Sequence, residues 1–114
     1  MRRLAAAALV AAACLVVPAA AASGSSVKRV KVGDDYYGPT HVTVKPGTKI
    51  KWVWLSDNGD SHDVKLTKAP HGVKKFHSAS AATDYTFSRT LTKRGTYKLV
   101  CTLHQDMTMT IKVR

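Results

Sequence analysis

Cys101, His104 and Met107 set a thiol, an imidazole and a thioether within the stretch Cys-Thr-Leu-His-Gln-Asp-Met. Soft sulfur donors with imidazole suit copper, and a His₂Cys set with a weak axial Met is the donor set of a copper site built for electron transfer. The second imidazole has to come from elsewhere in the chain, and His62 is the leading candidate. Two other chemistries compete for these residues. A Cys–His pair can act as a thiol nucleophile, but that needs an open substrate cleft, which a small domain with its Cys at a core-facing position does not offer. Zinc also accepts His and Cys; the thioether argues for copper.

What must position these residues is a set of strands. From Val27 onward apolar residues recur with period two, the pattern of half-buried strands. Val30 and Val32 share a face, then Val42 and Val44. After the turn Lys45-Pro46-Gly47-Thr48, residues Ile50, Trp52 and Trp54 share another, so the tryptophans read as core. Ser56–Ser61 is a polar loop, after which His62, Val64 and Leu66 share a face. Tyr36-Tyr37-Gly38-Pro39 reads as a turn. Residues 68–84 form a long irregular excursion, with room for one short strand or helical turn. Tyr85–Leu91 resumes a strand, Thr92–Gly95 turns it, and Tyr97, Leu99 and Cys101 share a face. Met109, Ile111 and Val113 share the last. About six to eight short strands predict an all-β sandwich or barrel, with His62 and Cys101 at strand ends on the core side. His41 lies at the parity opposite Val42 and reads as exposed. His71 and His77 flank Val73; a second, weaker metal site there matches no strong spacing, and both read as solvated loop residues.

The first 22 residues read as a secretory signal peptide. Arg2 and Arg3 precede the apolar run Leu4–Val17, and Ala20-Ala21-Ala22 fits a small-residue cleavage site. Cys14 lies inside the apolar run behind only a poor lipoprotein box. Residues 23–26 form a flexible leader, and residues 27–114 one small domain. No second apolar segment follows, so a soluble monomer outside the cytoplasm is expected, whether periplasmic, at the cell surface or extracellular. Removing the signal peptide leaves one cysteine. Exported proteins usually pair their cysteines, so a lone Cys beside His and Met is explained best as a metal ligand. Of the 18 Lys and Arg residues two lie in the signal peptide, leaving 16 against seven acidic residues, all Asp. Nucleic acid is one reading of such charge, but export and the absence of any nucleic-acid motif oppose it. An acidic redox partner or an anionic cell surface fits better.

The motifs also carry a family resemblance. The stretch Gly95-Thr96-Tyr97-Lys98-Leu99-Val100-Cys101-Thr102-Leu103-His104, leading to a Met, resembles the final ligand loop of the cupredoxins, and is most similar to the plastocyanin and amicyanin group. Val42-Thr43-Val44-Lys45-Pro46-Gly47-Thr48-Lys49-Ile50-Lys51-Trp52 resembles their V-x-x-G-x-x-V-x-W strand pair, and His62-Asp63-Val64 their H-N-V segment. The resemblance covers residues 27–114. It implies a Greek-key β-sandwich holding one type 1 copper ion, with His62, Cys101, His104 and Met107 as ligands. Met107 is preferred to Met109 because the family's chain closes with a strand beyond the ligand Met, and a strand needs about five to six residues. Met109, at core parity, reads as a filler.

By the same resemblance, His104 presents its ring edge as the electron port. Leu103, Pro70 and Val73 are expected to form an apolar docking patch around it. Asp63 departs from the family's Asn; its carboxylate can accept hydrogen bonds from Thr102 and brings negative charge near the metal. The expected function is a small exported carrier of single electrons between redox partners, not an enzyme. Copper storage, delivery or sensing with the same ligands is the second reading, and an interaction module with a structural Cys the third.

Overall fold

The computed structural model describes residues 26–114, so the expected signal peptide, its proposed cleavage site and residues 23–25 lie outside the described residues. Eight strands form two four-stranded sheets, and no helix occurs among the described residues. One sheet has the order β2-β1-β4-β6, from β1 (Val27–Gly33), β2 (Tyr36–Gly38), β4 (Thr48–Trp54) and β6 (Thr86–Leu91). The other has the order β3-β8-β7-β5, from β3 (His41–Val44), β5 (Lys65–Lys68), β7 (Gly95–Val100) and β8 (Thr108–Val113). β1 runs parallel to β4 and β3 parallel to β8, the remaining neighbours antiparallel. The chain therefore crosses repeatedly between sheets, and its loops gather at the two ends of an all-β sandwich.

The core lies between the sheets because strand side chains alternate in direction. Val30, Val32, Ile50, Trp52, Trp54 and Phe87 face Leu66, Tyr97, Leu99, Met109, Ile111 and Val113, all buried. Trp52 anchors it, with ring centroids 5.7 Å from Phe87 and 6.1 Å from Phe76. Burying side chains of this size stabilises the fold by about 1.5–3 kcal/mol each. Thus the residues of period two become the core, and His41 lies exposed on β3 as its parity predicts.

Two local expectations change, and the irregular stretch after β5 stays irregular. Tyr36–Gly38 is an edge strand, not a turn; the reversal occurs earlier, where Asp35 adopts φ 68°. That places the Tyr37 ring in the core, its hydroxyl donating to the Asp63 carbonyl. His62 does not share a strand with Leu66. It lies in the loop before β5, bridged to Ala81 by paired backbone bonds of 2.9 and 3.1 Å. Residues 69–85 hold no regular strand or helix, only bridges from Ala81 to His62 and from His77 to Lys65.

A candidate metal centre

β7 ends at Val100, and the next residue, Cys101, keeps the inward direction of Tyr97 and Leu99. The loop to β8 is closed by its own backbone. The Cys101 amide donates to the Met107 carbonyl at 2.9 Å, and the Met107 amide to the His104 carbonyl at 3.4 Å. Asp106 takes φ 64° at the reversal, a conformation that Asp tolerates better than most residues. This loop sets His104 Nδ1 3.7 Å from Cys101 Sγ. His62 arrives from the β4–β5 loop, its ring centroid 4.8 Å from that of His104. One ligand atom from each of His62, Cys101 and His104 falls within 4.8 Å of the others. Cys101 is the one cysteine of the described residues and is unpaired.

The protonation of His62 follows from its neighbours. Its Nε2 lies 2.9 Å from Asp34 Oδ1. The same carboxylate accepts the Gly59 amide at 2.8 Å and the Asp60 amide at 3.1 Å. The Gly59 amide foremost, with His62 and the Asp60 amide, lowers the Asp34 pKa to about 2. A charged carboxylate here accepts a proton held on Nε2, which leaves the lone pair of a neutral imidazole on Nδ1. That Nδ1 is buried with no hydrogen-bond partner, alone among buried side-chain nitrogen and oxygen atoms of the described residues. An orphaned buried acceptor is costly. Its ring stands beside a thiol and a second imidazole, so a soft cation that takes nitrogen donors fits the site. His104 is oriented in the same sense, its Nε2 lying 3.3 Å from Asp35 and 3.7 Å from Asp60. Carboxylates on the remote nitrogen of a ligating His fix its orientation and raise its basicity.

Asp63 joins the His62 loop to the Cys101 loop. It accepts the Thr102 amide at 2.7 Å, the Thr102 hydroxyl at 2.6 Å and His77 Nε2 at 2.9 Å. Burial pushes its carboxyl up, but the bonds from Thr102 and His77 outweigh burial and hold it below the usual range. The first loop is braced further by Trp54, whose indole donates to the His62 carbonyl at 3.0 Å, and by the Val64 amide on the Ser78 hydroxyl at 2.9 Å. Met107 is fully buried on the loop between β7 and β8, while Met109 is engaged in the core, its sulfur accepting the Trp52 indole N–H at 3.4 Å.

Asp34, Asp35, Asp60 and His77 support this centre and carry no sequence signal for it. Asp34 meets His62 across 28 residues of chain, and only the β1–β2 turn brings it there. His77 belongs to the centre through Asp63 and forms no metal cluster with His71 among the described residues. The expected apolar patch also changes. Leu103 is half exposed beside His104, but a Cβ on Gly95 would lie 2.6 Å from Pro70, which places Pro70 at the opposite end of β7. Val73, held by a bond from its amide to the Pro70 carbonyl, stays with it. The exposed residue that joins Leu103 at the metal end is Tyr36.

Residues 25–114 match the model of the copper binding proteins of the plastocyanin/azurin family, and the chain belongs to that family. Among solved structures, amicyanin from Paracoccus versutus is 26% identical at a TM-score of 0.67, the match covering 84% of this chain and 89% of that one. A pseudoazurin from Sinorhizobium is 26% identical at a TM-score of 0.63, covering 78% and 74%. These are cupredoxins, as the sequence motifs imply. No curated protein matches the sequence.

Proposed function

We propose that this chain is an exported carrier of single electrons, holding one type 1 copper ion with His62, Cys101, His104 and Met107. The observation that carries the reading is the buried, unpartnered Nδ1 of His62, a residue with a ligand atom within 4.8 Å of those of Cys101 and His104. Copper bound there supplies a Cu(II)/Cu(I) couple. Every other part of the work falls to the chain. Cys101 would hold the ion as a thiolate. Asp34 keeps the His62 proton on Nε2, and Asp35 with Asp60 does the same for His104, so both rings offer Nδ1 without rearrangement. Asp63 ties the His62 loop to the Cys101 loop and so would keep the donor residues in place around a bound ion. Trp54, Val64 and Met107 exclude water from the inner side.

His104 is the port. Its side chain is 24% exposed, while His62 is fully buried. Leu103 and Tyr36 give the surrounding face its apolar contact area. Net charge alone suggested an acidic partner. The loops around His104 are themselves acidic, so the partner that docks there is expected to present Lys or Arg.

The test is addition of Cu(II) to the apo protein. An intense blue thiolate-to-copper absorption, lost in Cys101→Ser, is expected, with rapid reversible exchange of one electron. A colourless complex, or one unchanged by the substitution, would overturn the assignment.

A further inference from the structure

The charges of this protein are sorted by end. All seven Asp residues lie in the loops of the metal end: Asp34 and Asp35 between β1 and β2, Asp57, Asp60 and Asp63 between β4 and β5, Asp84 before β6, and Asp106 between β7 and β8. Residues 55–64, 78–85 and 101–107 hold no Lys or Arg. The opposite end inverts this. Lys45, Lys74, Lys75, Lys93, Arg94 and Arg114 lie in its turns and at its chain end, with no Asp or Glu among them. Every close contact between a carboxylate and a basic side chain among the described residues joins an Asp to a His, so no Lys or Arg there is neutralised by a carboxylate. Gly95 and Cys101, at the two ends of β7, are about 20 Å apart at strand rise. The Debye length is about 8 Å at physiological ionic strength, so each end is felt on its own.

The basic end is also shaped. A cleft of about 570 Å³ is lined by Lys74, Lys75, Arg89 and Lys93, with Phe76 and Tyr97 among its walls. Arg89 is held in place there, its guanidinium 4.4 Å from the Phe87 ring centroid and 5.4 Å from that of Phe76. Gly72 lies at the rim with φ 88°, where an added Cβ would stand 3.0 Å from Lys93 Nζ. The chain enters the fold at this end, since the Ser26 carbonyl accepts the Lys49 amide at the start of β4.

We propose that this end docks on an anionic phospholipid surface, the cleft taking a lipid phosphate between Lys74, Lys75, Arg89 and Lys93. A cluster of unpaired cations is drawn to such a surface, each worth about a fivefold gain in binding. The acidic end is repelled by the same surface, so the protein stands with His104 turned away from the membrane and open to a partner. This goes beyond the electron-carrier reading and does not require it.

The test is co-sedimentation of residues 26–114, which contain the whole core, with phosphatidylcholine vesicles and with vesicles containing about 30% phosphatidylglycerol. Binding only to the anionic vesicles, lost at high salt, is expected. K74E/K75E/K93E should reduce it about tenfold or more. K65E/K98E/K112E, with the same net charge but on a strand face, should retain most of it. Equal loss in the two triple variants, or equal binding to neutral vesicles, overturns the proposal. Pyrophosphate binding in the cleft without vesicle binding would mark a soluble-anion site and also overturns it. Circular dichroism reports folding of each variant independently of copper, and K74Q/K93Q replaces the first triple if charge reversal prevents folding.

Discussion

Asp63 and Thr102 are joined twice, the carboxylate accepting both the amide, at 2.7 Å, and the hydroxyl, at 2.6 Å. The two residues flank His62 and Cys101 in sequence, so one side chain couples the two loops that converge on the centre. It also sets a negative charge beside the thiol, where the family's Asn would be neutral.

That charge favours the more positive oxidation state of a bound metal. Asp63→Asn keeps an acceptor for the Thr102 amide and removes the charge, so the reduction potential is expected to rise. Voltammetry of the copper protein measures it; a fall would show that charge is not the governing effect. Asp63→Ala removes both bonds to Thr102, and denaturant unfolding of the apo protein should register a loss of about 1–3 kcal/mol.

Asp34 acts on His62 from its far side. Asp34→Ala frees the imidazole to exchange tautomers and leaves the Gly59 and Asp60 amides without their acceptor. Copper affinity should fall about 10- to 100-fold, the usual cost of losing such a partner. Competition against a chelator of known affinity measures the change, and an unaltered affinity would leave Asp34 with a purely structural part.

The two methionines separate by readout. Met107→Ala should alter the blue absorption and the potential. Met109→Ala should leave both near their starting values and cost about 2–5 kcal/mol of stability, as large-to-small changes in a core do. It also orphans the Trp52 N–H. A spectral change confined to the Met109 variant would reverse the assignment.

The apo protein should lose stability in acid. Asp34, lowered to about 2, and Asp63, lowered by its bonds from Thr102 and His77 against burial, both hold their protons less tightly when folded. Their stabilisation is complete above the unfolded carboxylate value near 4 and fades as pH falls through the folded values. Urea midpoints of the apo protein between neutral pH and about pH 2 should trace this decline, and Asp34→Asn should flatten its lower part.

The strands and the residues that converge on the centre were legible because their signals are local. Period two placed Ile50, Trp52 and Trp54 inward, and the same parity carried Cys101 to the core side of β7. The short loop spacing put His104 beside it. What escaped depended on contacts between distant segments. Tyr37 lies in a short edge strand, which a Tyr-Tyr-Gly-Pro string does not announce. Asp34 and His77 reach the centre across 28 and 14 residues of chain. Pro70 looked like a neighbour of the ligand loop only because the irregular stretch after β5 gives no clue to which end of the sandwich it visits.

The bond from the Cys101 amide to the Met107 carbonyl makes the ligand loop a closed ring resting on the sandwich. Below it, β7 and β8 keep their own register through six residue pairs, from Gly95 with Val113 to Val100 with Thr108. Insertions between His104 and Met107 therefore bulge outward instead of sliding one strand along the other. The loop is a replaceable module, and the span that sets its chemistry can change length while the framework stays as it is.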